Sequence, residues 1–191
     1  MRIAGIAESS LPRVKGVAIV LMMVAAALLG GCSNPDEADD AAAFDAKAQW
    51  AVQAYDAPEL SQSQLVAMIE ADEAGDLLLV DTRSEQEYRV SHLPGAVLWA
   101  DYRTGRPPSR VLEHAAAGLP VVFYCSIGYR SGLAAERVKQ QAGDEQQIFN
   151  LKGGIFQWAN EGRPLEGGPL VHGYDDEWSQ WLRADLRAPT D

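Results

Sequence analysis

From residue 61 onward the apolar positions switch repeatedly between two spacings. In "SQSQLVAMIEADEAG" (61–75), Leu65, Met68 and Ile69 recur at helical intervals. Ser61 and Gln64 stand at the spacing of a capping box before them and Gly75 follows as a stop, which predicts an amphipathic helix. "DLLLVDTR" (76–83) is a short unbroken apolar run, the pattern of a strand covered on both faces. Ser84 and Glu87 make a second capping box over "SEQEY", opening a brief helix. Pro94 and Gly95 mark a turn before a strand in "SHLPGAVLWA". "SRVLEHAAAG" reads as a helix and "LPVVFYC" (119–125) as a second buried strand. Ala134, Val138 and Ala142, with Gly143 after them, give the next helix; "QQIFNL" (146–151) is a strand, and "GGIFQWANEGRP" a short helix closed by Gly162 and Pro164. Strands alternating with helices predict an α/β domain, a mostly parallel sheet with helices on both faces.

The two ends read differently. In the tail, "YDDEWSQWLRADL" (174–186) sets Trp178, Trp181, Leu182 and Leu186 on one face of a helix. Such a stripe packs on the domain or, in the other reading, receives a protein partner at Trp178 and Trp181. Residues 33–43, "SNPDEADDAAA", have nothing to bury and read as an acidic, flexible tether. "FDAKAQWAVQAY" (44–55) fits either a short helix or an irregular lead-in ended by Pro58. At the front, Arg2, Arg13 and Lys15 precede the uncharged "GVAIVLMMVAAALLGG", the layout of an export signal. The predicted division is a leader over 1–31, the tether and lead-in over 32–59, a domain over 60–166 and a C-terminal extension over 167–191.

Composition sharpens this. A chain of 191 residues, 47% hydrophobic, has room for one domain with a full core. The net charge of −11 becomes −13 once a leader carrying three bases and one acid is removed, so no nucleic-acid partner is expected. Nor would the protein's own surface hold it to anionic lipid. The leader ends in "LLGGC", which resembles the lipobox of bacterial lipoproteins, with Cys32 as the lipidated residue. That resemblance implies a lipid-anchored protein of the cell envelope facing the periplasm or exterior; Ser33 favours the outer membrane in a Gram-negative cell. An uncleaved signal anchor is the alternative.

The chain has two cysteines. With Cys32 lipidated, Cys125 has no intramolecular disulfide partner, and a lone thiol in an oxidising compartment is either deeply buried or used. Cys125 lies where a predicted strand turns into a helix, the place where α/β sheets bind ligands. "CSIGYRS" must turn tightly there, with Gly128 free to take a positive φ and a helix starting near Arg130. Converging backbone N–H groups and a helix N-terminus form an anion cradle, and together with Arg130 they favour the thiolate. A small core filler is the competing role.

Three segments, "LLLVDTRSEQEYRVSHLPGAV", "VVFYCSIGYRSGLAAERV" and "NLKGGIFQWANEGRPL", resemble a single rhodanese domain in order and spacing over about Leu60 to Leu165. The resemblance implies a rhodanese-like α/β sandwich around a five-stranded parallel sheet, and a sulfurtransferase. Such an enzyme moves sulfane sulfur from a small donor such as thiosulfate or a persulfide to cyanide or a thiol. Neither metal nor organic cofactor is implied. Carried over by position, Cys125 is the nucleophile and persulfide carrier. Ser126, Ile127, Gly128, Tyr129 and Arg130 form the loop that stabilises its charge, and Asp81 and Arg83 brace that loop. His92, preceded here by Ser91 where the family has glycine, is expected to be structural. Cysteine-based phosphatases and arsenate reductases place five residues between their cysteine and arginine; Cys125 and Arg130 enclose four, a cradle better matched to one sulfur. The alternatives are a non-catalytic sulfur- or thiol-binding or protein-interaction module of the cell envelope, and a redox sensor built on Cys125. The tail, "IFQWANEGRPL" continuing to "VHGYDDEW", resembles a group of exported bacterial rhodanese-like proteins.

Overall fold

The computed structural model describes residues 35–142 and 147–189. The leader, Cys32 and the stop assigned to Gly143 lie outside these residues. Along the chain run α1 (Pro35–Val52), β1 (Glu59–Leu60), α2 (Gln62–Ala71), β2 (Leu78–Asp81), α3 (Glu85–Val90), β3 (Val97–Leu98), α4 (Ser109–Ala116), β4 (Val121–Tyr124), α5 (Tyr129–Ala142), β5 (Ile148–Leu151), α6 (Gly154–Asn160) and α7 (Asp176–Ser179). The five strands form one parallel sheet in the order β1-β5-β4-β2-β3. The predicted α/β class with a five-stranded parallel sheet is the observed one.

The unbroken apolar runs follow from cover on both faces. On one face Leu79, Val122, Tyr124 and Leu151 pack with Leu65 of α2 and with Ile155, Phe156 and Ala159 of α6. On the other, Leu78, Val80, Val121, Phe123 and Ile148 meet Val111 and Ala115 of α4 and Ala134, Ala135 and Val138 of α5. Register places Asp81 beside Tyr124, so the carboxyl ends of β2 and β4 finish level. Both predicted capping boxes form: Ser61 with Gln64, and Ser84 with Glu87.

Two expectations change, and one strand joins the sheet that the pattern of apolar positions does not show. The segment read as a flexible tether is helical from Pro35, and α1 runs on through Val52. Proline at the first helical position and an alanine-rich sequence outweigh the acidic polarity. Tertiary contacts secure it: Ala48, Ala51 and Val52 are buried, and Asp45 pairs with Lys152 at 2.8 Å. Strand β1, two residues long, leaves no periodic signal and is held by its parallel neighbour β5. The tail is not one amphipathic helix. Asp175 caps the single turn of α7, the chain then breaks, and a short 3-10 turn follows at Ala184–Leu186. The cause is Asn160 of α6, whose side chain donates to the Trp181 carbonyl (2.8 Å) and accepts from Arg183 N–H (3.0 Å). Trp178, Trp181 and Leu186 nevertheless pack against the core around fully buried Leu182. Of the two readings of Trp178 and Trp181, these contacts favour packing on the domain, with both rings left half-buried. Among the described residues no helix is long and apolar enough to cross a membrane.

Candidate active site

Cys125 follows the last residue of β4, and its side chain is 1% exposed. The next three residues turn their carbonyls to one side. Cys125, Ser126 and Ile127 accept hydrogen bonds from the N–H groups of Ile155 (2.9 Å), Phe156 (3.1 Å) and Gly153 (3.1 Å). The start of α6 and its cap thus take up the loop's acceptors. Gly128, at φ +115, donates its N–H to Cys125 Sγ at 3.2 Å. A Cβ at Gly128 would stand 2.8 Å from Val52 Cγ1, and one at Gly154 would overlap the Cys125 and Ser126 carbonyls. Both sites therefore require glycine, for close approach as much as for φ. Asn150 of β5 braces the turn from below. Its Nδ2 donates to the Gly128 carbonyl at 2.8 Å, and its Oδ1 accepts from the Ser131 hydroxyl at 2.7 Å.

Charge is organised around Arg130, in the first turn of α5. Its guanidinium forms a fork on Glu87, Nη1 to Oε2 and Nη2 to Oε1, both at 2.8 Å, and Nη2 also donates to Ser126 Oγ at 2.8 Å. Tyr174 lies over the guanidinium, 4.8 Å from it to the ring centroid. Burial opposes the ionisation of Glu87, yet the Arg130 fork and the Ser84 backbone N–H hold its carboxyl down at about 2. At Cys125 burial likewise opposes the charged form. Arg130 and the hydrogen-bond donors of Ser131 and Gly128 outweigh it, and the thiol ionises below its ordinary value. Cys125 in turn holds Arg130 more firmly protonated, second only to Glu87 in that respect.

The loop residues singled out in the sequence do not share one role. Ser126 fixes Arg130, Ile127 is buried in the core and Gly128 bonds the sulfur. Tyr129 lines the mouth, where its ring stacks on Trp50 at 5.3 Å. Asp81 and Arg83 do not touch Cys125. They form a fully buried ion pair at 2.7 Å, and Arg83 Nη2 donates to the Ser91 carbonyl at 2.6 Å. They brace the turn after α3 rather than the cysteine loop. Ser91 sits there at φ −168, extended backbone open to any residue, so the absence of glycine is harmless. His92 stacks on Tyr88 and pairs with Glu166 at 3.2 Å, a structural link to the segment after α6. Glu87 and Asn150 carry no site signal in the sequence: the first reads as a helix cap and the second as a single polar residue in a buried strand.

A cleft of about 190 Å³ opens over the sulfur, lined by Trp50, Arg103, Cys125, Ser126, Ile127, Tyr129, Arg130, Tyr174 and Trp178. A larger depression of about 430 Å³ near Trp158 and Pro94 is remote from the thiol and contains no nucleophile. Among the described residues no group of three or more His, Cys, Asp or Glu side chains could hold a metal.

The chain matches the rhodanese-like domain model over residues 61–161. It is 32% identical over 94 residues to a sulfurtransferase of Allochromatium vinosum, covering 47% of this chain and 78% of that one. It is 33% identical over 103 residues to the HTH-type transcriptional regulator Rv0324 of Mycobacterium tuberculosis, covering 53% and 43%. The chain thus spans less than half the length of that regulator. A thiosulfate sulfurtransferase structure from Pseudomonas aeruginosa superposes with a TM-score of 0.48 at 21% identity, over 65% of this chain and 23% of that one. By the matched family model, which spans both β2 and the cysteine loop, the chain belongs to the rhodanese-like domain family.

Proposed function

We propose that the protein is a sulfurtransferase that carries sulfane sulfur on Cys125 from a donor such as thiosulfate to cyanide or a thiol. The observation that carries this reading is the polarity of the loop: three consecutive carbonyls are tied to α6 or its cap, while the Gly128 N–H, the Ser131 donors and Arg130 act on Sγ. Such donors and charge suit the negative charge of a persulfide. The Cys125 thiolate attacks the outer sulfur of thiosulfate; a new S–S bond forms, the old one breaks, and sulfite leaves with the electron pair. Cyanide then bonds to the outer sulfur, the Sγ–S bond breaks, and thiocyanate departs as the Cys125 thiolate returns. No proton need move at the sulfur, which agrees with a cleft whose described lining residues include no histidine. Arg130, already shared with Glu87, balances the charge at Sγ without binding it as a full salt-bridge partner.

The test is thiocyanate production by the purified chain, with a mass increase of one sulfur on Cys125 after thiosulfate and its reversal by cyanide. Wild-type activity no greater than that of Cys125→Ala would refute it. The same reading places the protein in the cell envelope on a lipid at Cys32, supported by the uncharged leader and "LLGGC". Incorporation of labelled palmitate that Cys32→Ser abolishes would support that location, and equal labelling of both chains would end it.

A further inference from the structure

Three of the walls over Cys125 come from outside the matched domain. Trp50 belongs to α1 and Trp178 to α7, and Tyr174 lies just before α7, while the family match covers only 61–161. Their side chains stand around the cleft. Trp50 stacks on Tyr129 with the planes 7° apart, and Lys47 Nζ lies 4.6 Å from the Trp50 ring and 4.9 Å from that of Trp178, joining the two added segments. Tyr174 stands over Arg130. It is the one non-glycine among the described residues with a positive φ, +72, a conformation kept only where the surroundings enforce it. Beneath these side chains the sulfur is 1% exposed. A thiol on a folded protein's surface cannot approach such an atom without displacing the collar, whereas a slender molecule can enter sulfur first. Arg103, also in the lining, adds positive charge to an apolar entrance on an otherwise acidic protein.

Resting on the sulfur-transfer reading, we infer that α1 and the tail form a selectivity collar that admits low-molecular-weight anionic thiols and persulfides and excludes protein thiols. Trp50, Tyr174 and Trp178 are its specificity-determining residues. Transfer through the collar balances as before: the acceptor thiolate bonds to the outer sulfur, the Sγ–S bond breaks, and Sγ keeps the pair as the Cys125 thiolate.

The experiment loads the full chain with thiosulfate and compares persulfide transfer to mercaptoacetate and to a folded protein with one exposed cysteine. The small thiol is expected to win by about 100-fold in kcat/KM, and Trp50→Ala with Trp178→Ala to cut that preference about tenfold. Trp50→Ala alone, at a half-exposed position, keeps the test sound if the double variant loosens the tail. A second arm needs no sulfur chemistry: alkylation of Cys125, read on its peptide by mass spectrometry, by N-ethylmaleimide and by maleimide coupled to dextran. The same preference for the small reagent, lowered by the same substitutions, supports the collar even if no persulfide forms. Equal transfer to both thiols in wild type, or a ratio unmoved by the substitutions, would overturn it. Failure of persulfide loading with a size-selective alkylation would instead strike at the sulfur-transfer reading.

Discussion

Replacing Glu87 by glutamine keeps the shape of the side chain and removes the charge that Arg130 grips. Glu87 is 2% exposed, and its carboxyl is lowered from 4.5 to about 2. A depression of that size corresponds to about 3 kcal/mol of native-state stabilisation at neutral pH. Because the folded-state pKa is the lower one, this contribution is full above the unfolded value of 4.5. It is lost as pH falls toward 2. Integrated over the two values, it is about 1 kcal/mol at pH 3. Loss of one partner from a buried pair gives a similar magnitude, about 3–5 kcal/mol, by an independent route. Urea unfolding of wild type and Glu87→Gln at pH 7 and pH 3 measures both numbers. The expected result is a destabilisation of about 3 kcal/mol at pH 7 that shrinks by more than half at pH 3. A loss under about 1 kcal/mol, or one equal at both pH values, would refute the claim that Glu87 acts as a buried anion for Arg130 rather than as the α3 cap alone.

The other parts of the cradle make separable predictions. Arg130→Met removes the largest influence that favours the thiolate, so the Cys125 pKa should rise, measured as thiolate absorbance against pH; an unchanged titration would contradict the assigned electrostatics. Gly154→Ala forces a methyl group into the Cys125 and Ser126 carbonyls, and should abolish persulfide loading while Gly75→Ala, at a turn with open space around it, leaves loading intact. Asn150→Ala strands the Gly128 carbonyl and the Ser131 hydroxyl in a buried site; the expected cost is about 1–3 kcal/mol in urea unfolding, and a neutral result would remove Asn150 from the brace.

What the sequence revealed and what it hid divide along a physical line. Periodicity and capping report on segments that must satisfy themselves locally, so α2, α3, α4, β2 and β4 could be read where they stand. The segments that failed are those whose conformation is decided by a distant neighbour. Two-residue β1 exists because β5 pairs with it, and the tail breaks after Ser179 because Asn160, about twenty residues upstream, binds the Trp181 carbonyl. The N-terminal acidic stretch misled for a related reason. Its composition lacks a hydrophobic face, and only the contacts of Ala48, Ala51, Val52 and the Asp45 pair with Lys152 hold the later part of α1 to the domain.

The same division runs through the site. Cys125, Gly128 and Arg130 are neighbours in sequence, and a strand end, a tight turn and a helix start suffice to place them together. Their partners arrive from three other elements: Glu87 from α3, Asn150 from β5 and the N–H groups at the start of α6. Glu87 was visible only as a helix cap because one carboxylate does both jobs. Oε2 accepts from the Ser84 backbone and hydroxyl at 2.9 Å and from Arg130 at 2.8 Å. That double use has a consequence for the chemistry. A carboxylate fixed by its own helix cap cannot follow Arg130, so the guanidinium is positioned before any substrate arrives. In the proposed transfer, the charge at Sγ would pass from thiolate to persulfide without reorganisation of its surroundings, the condition under which fixed donors and charges contribute most to a group transfer.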